Sequence, residues 1–350
     1  MPLTIREART EDSPGLTQLV RLTPMQGLIG LRTERNPDFF ELLRLSLDFI
    51  LLVAVDGLNE IRGCFAATKN NMRVSGGVRV VYYLRDLKVH PESHGSMVAF
   101  RLVREMYKRL IEKEADILCC TMASGNEAVV PFFGGRAGIP PFSTIGRFNV
   151  YQILPAKKKL NEEERNVAPL SLADFYNRSF ETNAMAPERI CHQSLKACVS
   201  FSASEGEEVV AAISAFDPYK FKQNIVTTYS WSVAAVLSIL KVLKIFFYLP
   251  ELPKKNIPLR ILYARYIAFL PGKHYALKNL IAQLREYASG KNFHLVAIAA
   301  EERDEGLNKM LKPLTRFVFK STLLATSLQN NQHIIDALQK DICYEDYSLV

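Results

Sequence analysis

The chain of 350 residues has a single tryptophan, no collagen-like or low-complexity stretch, and six cysteines that never fall into a Cys-x-x-Cys pair. Cys64, Cys119, Cys120, Cys191, Cys198 and Cys343 lie in apolar runs or singly. That excludes a disulfide scaffold or a zinc ribbon and reads as reduced, mostly buried thiols. Cys191-His192 invites a metal or nucleophile reading, but no second ligand pair stands at metal spacing, so no metal is expected. The segment Met1 to Asp12 mixes charge with alternating apolar residues and has no run for a signal peptide, which points to a cytoplasmic protein. One long apolar run exists, Trp231 to Leu249, and Lys241 and Lys244 break it short of the roughly 20 residues a membrane span needs. A helix packed on a sheet is the expected reading there, with docking at a membrane surface the lesser one. The net charge of +8 suits an anionic ligand or an acidic partner. Its basic residues are scattered without interleaved aromatics, so nucleic acid is not an expected partner.

What remains is ordinary globular composition, 48% hydrophobic and 23% charged. At roughly 150 residues per domain the length predicts about two domains. Leu3 to Ala8 alternates like a strand, and Thr10 to Pro14 supplies caps and an early proline for a helix to about Leu22. Asn36-Pro37-Asp38 reads as a second helix start, carrying Phe39, Phe40, Leu42 and Leu43 inward. Phe49 to Val55 and Ile61 to Thr68 form a hairpin through Asp56-Gly57. A long strand over Val78 to His90, an amphipathic helix over Met97 to Glu114 and a buried strand over Asp116 to Met122 follow. Asn126 to Phe133 reads as a short helix and Phe148 to Leu154 as a closing strand.

The polar, proline-bounded stretch Pro155 to Pro169 marks a linker. Beyond it the order recurs. Cys198 to Ser204, Glu205-Gly206 and Val209 to Phe216 repeat the hairpin, with Glu205-Gly206 falling 149 residues after Asp56-Gly57. Pro91-x-x-His94 and Pro271-x-x-His274 share a spacing 180 residues apart, and each precedes a helical pattern and an apolar strand. The change of offset predicts an insertion near residues 225–257. The ordered set of matches predicts an internal duplication, with a first domain over 1–154, a linker over 155–167 and a second domain over 168–350.

Chemistry concentrates at the turn after the long strand. The turn Pro91-Glu92-Ser93-His94-Gly95 opens a helix near Ser96, where free N–H groups and the helix dipole can receive a phosphate. Element order, the strand Leu87-Lys88-Val89-His90-Pro91 and this loop resemble the GNAT superfamily of acyl-coenzyme A-dependent N-acetyltransferases. The family loop reads Gln/Arg-x-x-Gly-x-Gly/Ala, and the matching register here is His94-Gly95-Ser96-Met97-Val98-Ala99, with Met97 where the family has glycine. The resemblance implies an α+β fold of two tandem GNAT-like domains, each a mixed, mainly antiparallel sheet flanked by helices. It implies acetyl-coenzyme A or another short acyl donor, gripped by the backbone of Leu87, Lys88 and Val89, by the loop from His94 to Ala99 and by Asn126. Where the family often has a tyrosine that protonates the departing thiolate, Phe133 stands.

The implied reaction is direct attack by an amine of a small molecule or peptide on the thioester. It needs the amine neutral and the carbonyl polarised by a backbone N–H. A thiolate leaving group of pKa near ~8.5 can take its proton from water. Asp86 or His90 could accept the amine proton, directly or through water, with Asp86, in the strand beside the expected thioester, the first candidate; pairing with Arg85 or Lys88 is its structural alternative. Tyr82 and Tyr83 are further candidates, and Arg32, Arg35 and the Phe39-Phe40 helix are expected to shape the acceptor pocket. The second half reads His274-Tyr275-Ala276-Leu277-Lys278-Asn279 without the glycine, followed by Glu301-Glu302-Arg303-Asp304, and is expected to be a degenerate, supporting copy. Met97 and Phe133 sustain the competing expectation of a non-catalytic acyl-coenzyme A sensor or interaction protein.

Overall fold

A computed structural model describes residues 3–25, 29–124, 130–135, 138–156, 169–229, 254–329 and 331–350, with isolated positions 231, 235 and 238. The first half contains β1 (Thr4–Glu7), α1 (Ser13–Leu22), β2 (Ile29–Glu34), β3 (Asp48–Val55), β4 (Ile61–Val74), β5 (Gly77–Val89), α2 (Val98–Glu112), β6 (Ile117–Ala123) and β7 (Ser143–Ile153). The second contains α3 (Pro169–Ser179), β8 (Cys198–Glu205), β9 (Glu208–Phe216), β10 (Gln223–Tyr229), β11 (Pro258–Leu259), β12 (Ile261–Phe269), α4 (His274–Gly290), β13 (Leu295–Glu301) and β14 (Thr315–Ser327).

The expected hairpins form as β3 with β4 and β8 with β9, both antiparallel. The helices after the two Pro-x-x-His turns form as α2 and α4. Each buries one apolar face, as their 3.6-residue spacing requires. Val98, Leu102, Val103, Met106 and Leu110 of α2 pack on the first half of the sheet, and Leu277, Leu280, Ile281 and Leu284 of α4 on the second. Burying each such side chain contributes about 1.5–3 kcal/mol. Gly63 of β4 admits α2: a Cβ there would lie 2.9 Å from Val98 and 3.0 Å from Leu102.

Eleven strands join one continuous sheet in the order β1-β3-β4-β5-β6-β14-β7-β13-β12-β9-β8. The two halves trade their last strands. β14 runs antiparallel to β6, β7 runs antiparallel to β13, and β14 and β7 pair with each other along the middle. The repeat is carried into the ladder as well. β5 pairs parallel with β6 over only Val81–Tyr83, and β12 with β13 over only Ile261–Tyr263. Beyond those three residues each strand pair parts.

Two expectations are corrected. Residues after Asn36-Pro37 form turns and a short 3-10 segment at Leu43–Leu45 in place of a helix, because the Asp38 carboxylate accepts from Ser13 Oγ and Phe40 N and holds the chain as a local loop. Phe39 and Phe40 are still buried. The expected insertion begins with a strand rather than a helix: Gln223–Tyr229 pairs antiparallel with β2 and β11 in a separate three-stranded sheet. Residues 157–168 of the linker, and most of the apolar run from Trp231, lie outside the described residues, as does Asn126. No helix among the described residues is long and apolar enough to cross a membrane.

Candidate active site

The parting of β5 from β6 opens one edge of β5. Up to Val89 its other edge pairs with β4, from Val74↔Gly77 to Gly63↔Val89, but past Tyr83 no strand pairs on the β6 side. Leu84 to Val89 therefore offer a backbone edge to an extended partner. That edge borders a cavity of about 290 Å³ whose floor is apolar, with Leu84 of β5, Met106 and Leu110 of α2, Leu118 of β6, and Phe132. Of the residues expected to bind coenzyme, Leu87 and Lys88 line this cavity. Val89 is not among its lining residues, and its carbonyl oxygen is 3.2 Å from His94 Nε2.

The turn beyond Val89 has the anticipated geometry. Gly95 has φ +77° and open space where a Cβ would be. Ser96 Oγ accepts from Val98 N at 3.3 Å and donates to Ser93 O at 2.6 Å, tying the turn to the start of α2. Met97, which occupies the family's glycine position, is 64% exposed, so its side chain stands in solvent instead of filling the turn. Val98 is buried against the sheet and begins α2, with Ala99 behind it, and Ser96 N donates to Ser93 O at 3.2 Å, which leaves Gly95 as the open point of the turn.

Asp86 departs from its expected role. It sits at a bulge in β5, with φ +54°, where the register with β4 shifts opposite Cys64 and Ala66. Arg35, only 2% exposed, clamps both of its carboxylate oxygens through Nη2 at 3.0 and 2.9 Å, and Arg85 Nε adds a third contact at 3.3 Å. Burial alone would raise this carboxyl, but Arg35, then Arg85, Lys88 and Lys222, take it well below the usual carboxylate range. A carboxylate so stabilised is a poor proton acceptor. The carboxylate is paired with Arg85, as in the structural alternative, but its principal partner is Arg35, and Lys88 forms no ion pair with it among the described residues.

Arg35 is thus the ion-pair partner of Asp86, and it also borders the cavity. Arg32 pairs with Glu34 at 3.2 Å, and Phe39 and Phe40 pack in a core cluster with α1. Tyr82 is wholly buried, whereas Tyr83 reaches the cavity. Phe133 lines it and meets Phe142 edge-on at 5.1 Å, leaving no phenol hydroxyl at that position.

Sequence reasoning missed Lys222, which follows β9 and projects into the same cavity. Its Nζ donates to the Val350 carbonyl oxygen. Burial, with Arg35 and Arg85 nearby, lowers its ammonium to about 7, against a partly offsetting pull from Asp86. No local signal marks this lysine, since the β2–β10 pairing, with Gln223 opposite Glu34, brings it to the site from far along the chain.

The equivalent region of the second half is differently filled. Glu301 is buried and bonded to Arg303 Nε at 2.9 Å, and Asp304 caps the next helix by accepting from Leu307 N. Asn308 accepts from both Asn149 and Tyr151 of β7. The acidic cluster is therefore committed to structure.

This architecture, two exchanged halves with a parted parallel strand pair and a glycine turn opening the following helix, is the GNAT fold in tandem. Saccharomyces cerevisiae N-myristoyltransferase, solved with bound myristoyl-CoA, superposes with TM-score 0.60 at 12% identity, over 93% of this chain and 83% of that one. A conserved protein of Enterococcus faecalis described as a probable N-acyltransferase gives TM-score 0.53 at 10% identity, over 94% and 73%. A GCN5-related N-acetyltransferase from Kribbella flavida gives 0.54 at 11%, over 93% and 71%. No protein-family model and no curated protein sequence matches the chain. At identities this low the likeness shows the fold alone.

Proposed function

We propose that this protein transfers an acyl group from acyl-coenzyme A to an amine, using the first half as the coenzyme site. The observation that carries the reading is the open edge of β5 running from the bulge at Asp86 to the glycine turn at the start of α2, beside an apolar cavity. A pantetheine arm is an extended chain of amides, and an unpaired strand edge is a natural partner for it. The first N–H groups of α2 and the turn at Gly95 would face the pyrophosphate. The coenzyme sulfur would then lie near the bulge, where Arg85, Lys88 and Lys222 outnumber Asp86 and favour negative charge developing on the thioester oxygen.

The cavity extends past the bulge toward Leu84, Leu110 and Leu118, away from the turn. From Val103 to Leu110, the stretch of α2 that lines it, the helix advances about 10 Å. That apolar depth supports an acyl chain longer than acetyl as the group transferred. The related yeast protein holds myristoyl-CoA, consistent with a fold able to take such a donor.

The test is a thiol-release assay with acetyl-, octanoyl-, myristoyl- and palmitoyl-coenzyme A across a panel of amines, beside thermal stabilisation by each donor. Amine-dependent release with a preference for the longer donors supports the proposal. Stabilisation without release identifies a sensor, and absence of both overturns the coenzyme site. Gly95→Val should weaken acyl-coenzyme A affinity at least tenfold, since a β-branched residue resists positive φ and would reshape the turn. Loss of acyl-coenzyme A-dependent stabilisation measures it.

A further inference from the structure

A second cavity, of about 400 Å³, lies on the opposite face of the sheet from the apolar one. Side chains alternate along β5 and β6: Tyr82 and Leu118 pack toward α2, whereas Val81, Ile117 and Cys119 pack in the other core cluster. Tyr83, Arg85 and Val350 line both cavities, so the two meet where β5 and β6 part. At this gap the sheet is open to both faces, beside the expected thioester.

The second cavity carries three side-chain carboxylates. Asp346 is bound to Arg265 at 2.7 Å and to Ser348, and Glu188 accepts from Asn71 at 3.1 Å. Glu345 takes part in no ion pair among the described residues. On the neighbouring strands it faces Tyr83 and Arg85 of β5 and Cys119, Cys120 and Thr121 of β6. On its own segment it faces Cys343, Tyr344, Asp346 and Tyr347. Only Arg85 among these is a cation, and that guanidinium is shared with Asp86.

Resting on the acyl-transfer reading above, we propose that the acceptor enters through this second cavity as a primary ammonium and that Glu345 receives it and takes its proton. Burial, with Asp346 beside it, holds the Glu345 carboxyl up at about 8, against a weaker pull from Thr121 and Arg85. An arriving ammonium supplies the missing countercharge and favours the ionised carboxylate; proton transfer then returns a neutral carboxyl and frees the amine lone pair. The nitrogen attacks the thioester carbon, the N–C bond forms and the C–S bond breaks. The second nitrogen proton goes to the departing sulfur, giving free thiol, and Glu345 returns its proton to water. No co-reactant beyond donor and amine is needed. Asn70, Asn71 and Tyr344 line the wall and Leu45 the rim, so the body of the acceptor meets hydrogen-bonding groups before solvent.

Glu345→Gln tests this directly. Because the native carboxyl is largely neutral at pH 7, the amide should fold normally, which thermal unfolding checks, and acyl-coenzyme A should stabilise it as it does the parent. The expected result is a fall in kcat/KM of about 10²–10⁴-fold for alkylamine acceptors, whether a short peptide or a small amine. The rise of kcat/KM with pH centred near 8 should vanish, while Glu345→Asp restores part of both. An acceptor already neutral at assay pH, such as an alkoxyamine, should lose less than tenfold, because no ammonium proton has to be removed. Peptide and small-amine arms show which body the cavity prefers. A variant with the parent's rate and pH profile overturns the role of Glu345 and leaves acyl transfer standing. If the parent protein transfers to no amine, both readings fall together.

Discussion

Asp86→Asn should destabilise the protein by about 3–5 kcal/mol, the range for breaking a buried ion pair by removing one partner. Arg35 is 2% exposed, and its guanidinium has Asp86 as its only carboxylate partner among the described residues. Burial already lowers the Arg35 pKa despite the pull of Asp86, so the charge is held at a cost that neutral asparagine would leave uncompensated. Urea titration of both proteins measures the loss. The double variant Arg35→Met with Asp86→Asn should be less destabilised than the sum of the single changes, because the orphaned charge is gone. The sign of the pH dependence follows. With its folded pKa below the unfolded 3.8, Asp86 contributes stability that is present above that pH and lost as pH falls below it. An Asp86→Asn protein of unchanged stability but with no turnover would instead return the base role to this carboxylate.

Leu84→Trp should change which donor is used. Leu84 faces the α2 side of β5 and lines the apolar cavity just past the bulge, so an indole there would occupy space proposed for the acyl chain. Excluding about four methylenes forfeits roughly 3 kcal/mol at about 0.8 kcal/mol each. Turnover of myristoyl-coenzyme A should therefore fall by about 10²-fold or more, with acetyl-coenzyme A turnover kept within about threefold. Equal losses for both donors would show that the cavity does not house the chain. Competition between the two donors in one reaction reads the switch directly.

These outcomes depend on features legible in the sequence to very different degrees. The hairpin at Asp56-Gly57, the turn at Gly95 and the stripe of Leu102, Met106 and Leu110 are local. Turn chemistry and helical spacing declare them within a few residues, and the repeat follows because the same local signals recur. The helix expected after Asn36-Pro37 failed for a reason also close at hand, since Asp38 spends its carboxylate on Ser13 and Phe40. Its charge and its place in the strand beside the expected thioester made Asp86 a candidate base. Only its partner, 51 residues earlier in the chain, showed the carboxylate to be committed.

By itself, then, the sequence marked the two hairpins, the strand before Pro91, the helices that follow the two Pro-x-x-His turns and the glycine turn that opens α2. Tertiary structure decided the exchange of β7 and β14 between the halves, because two apolar strands of similar pattern can pair with either sheet and only the closed ladder selects among them. It decided as well that Lys222 and Glu345, distant in the chain from Tyr83 and Arg85, meet at the gap between β5 and β6. Proton affinity is set by burial and by neighbouring charge, and both exist only once the chain has folded.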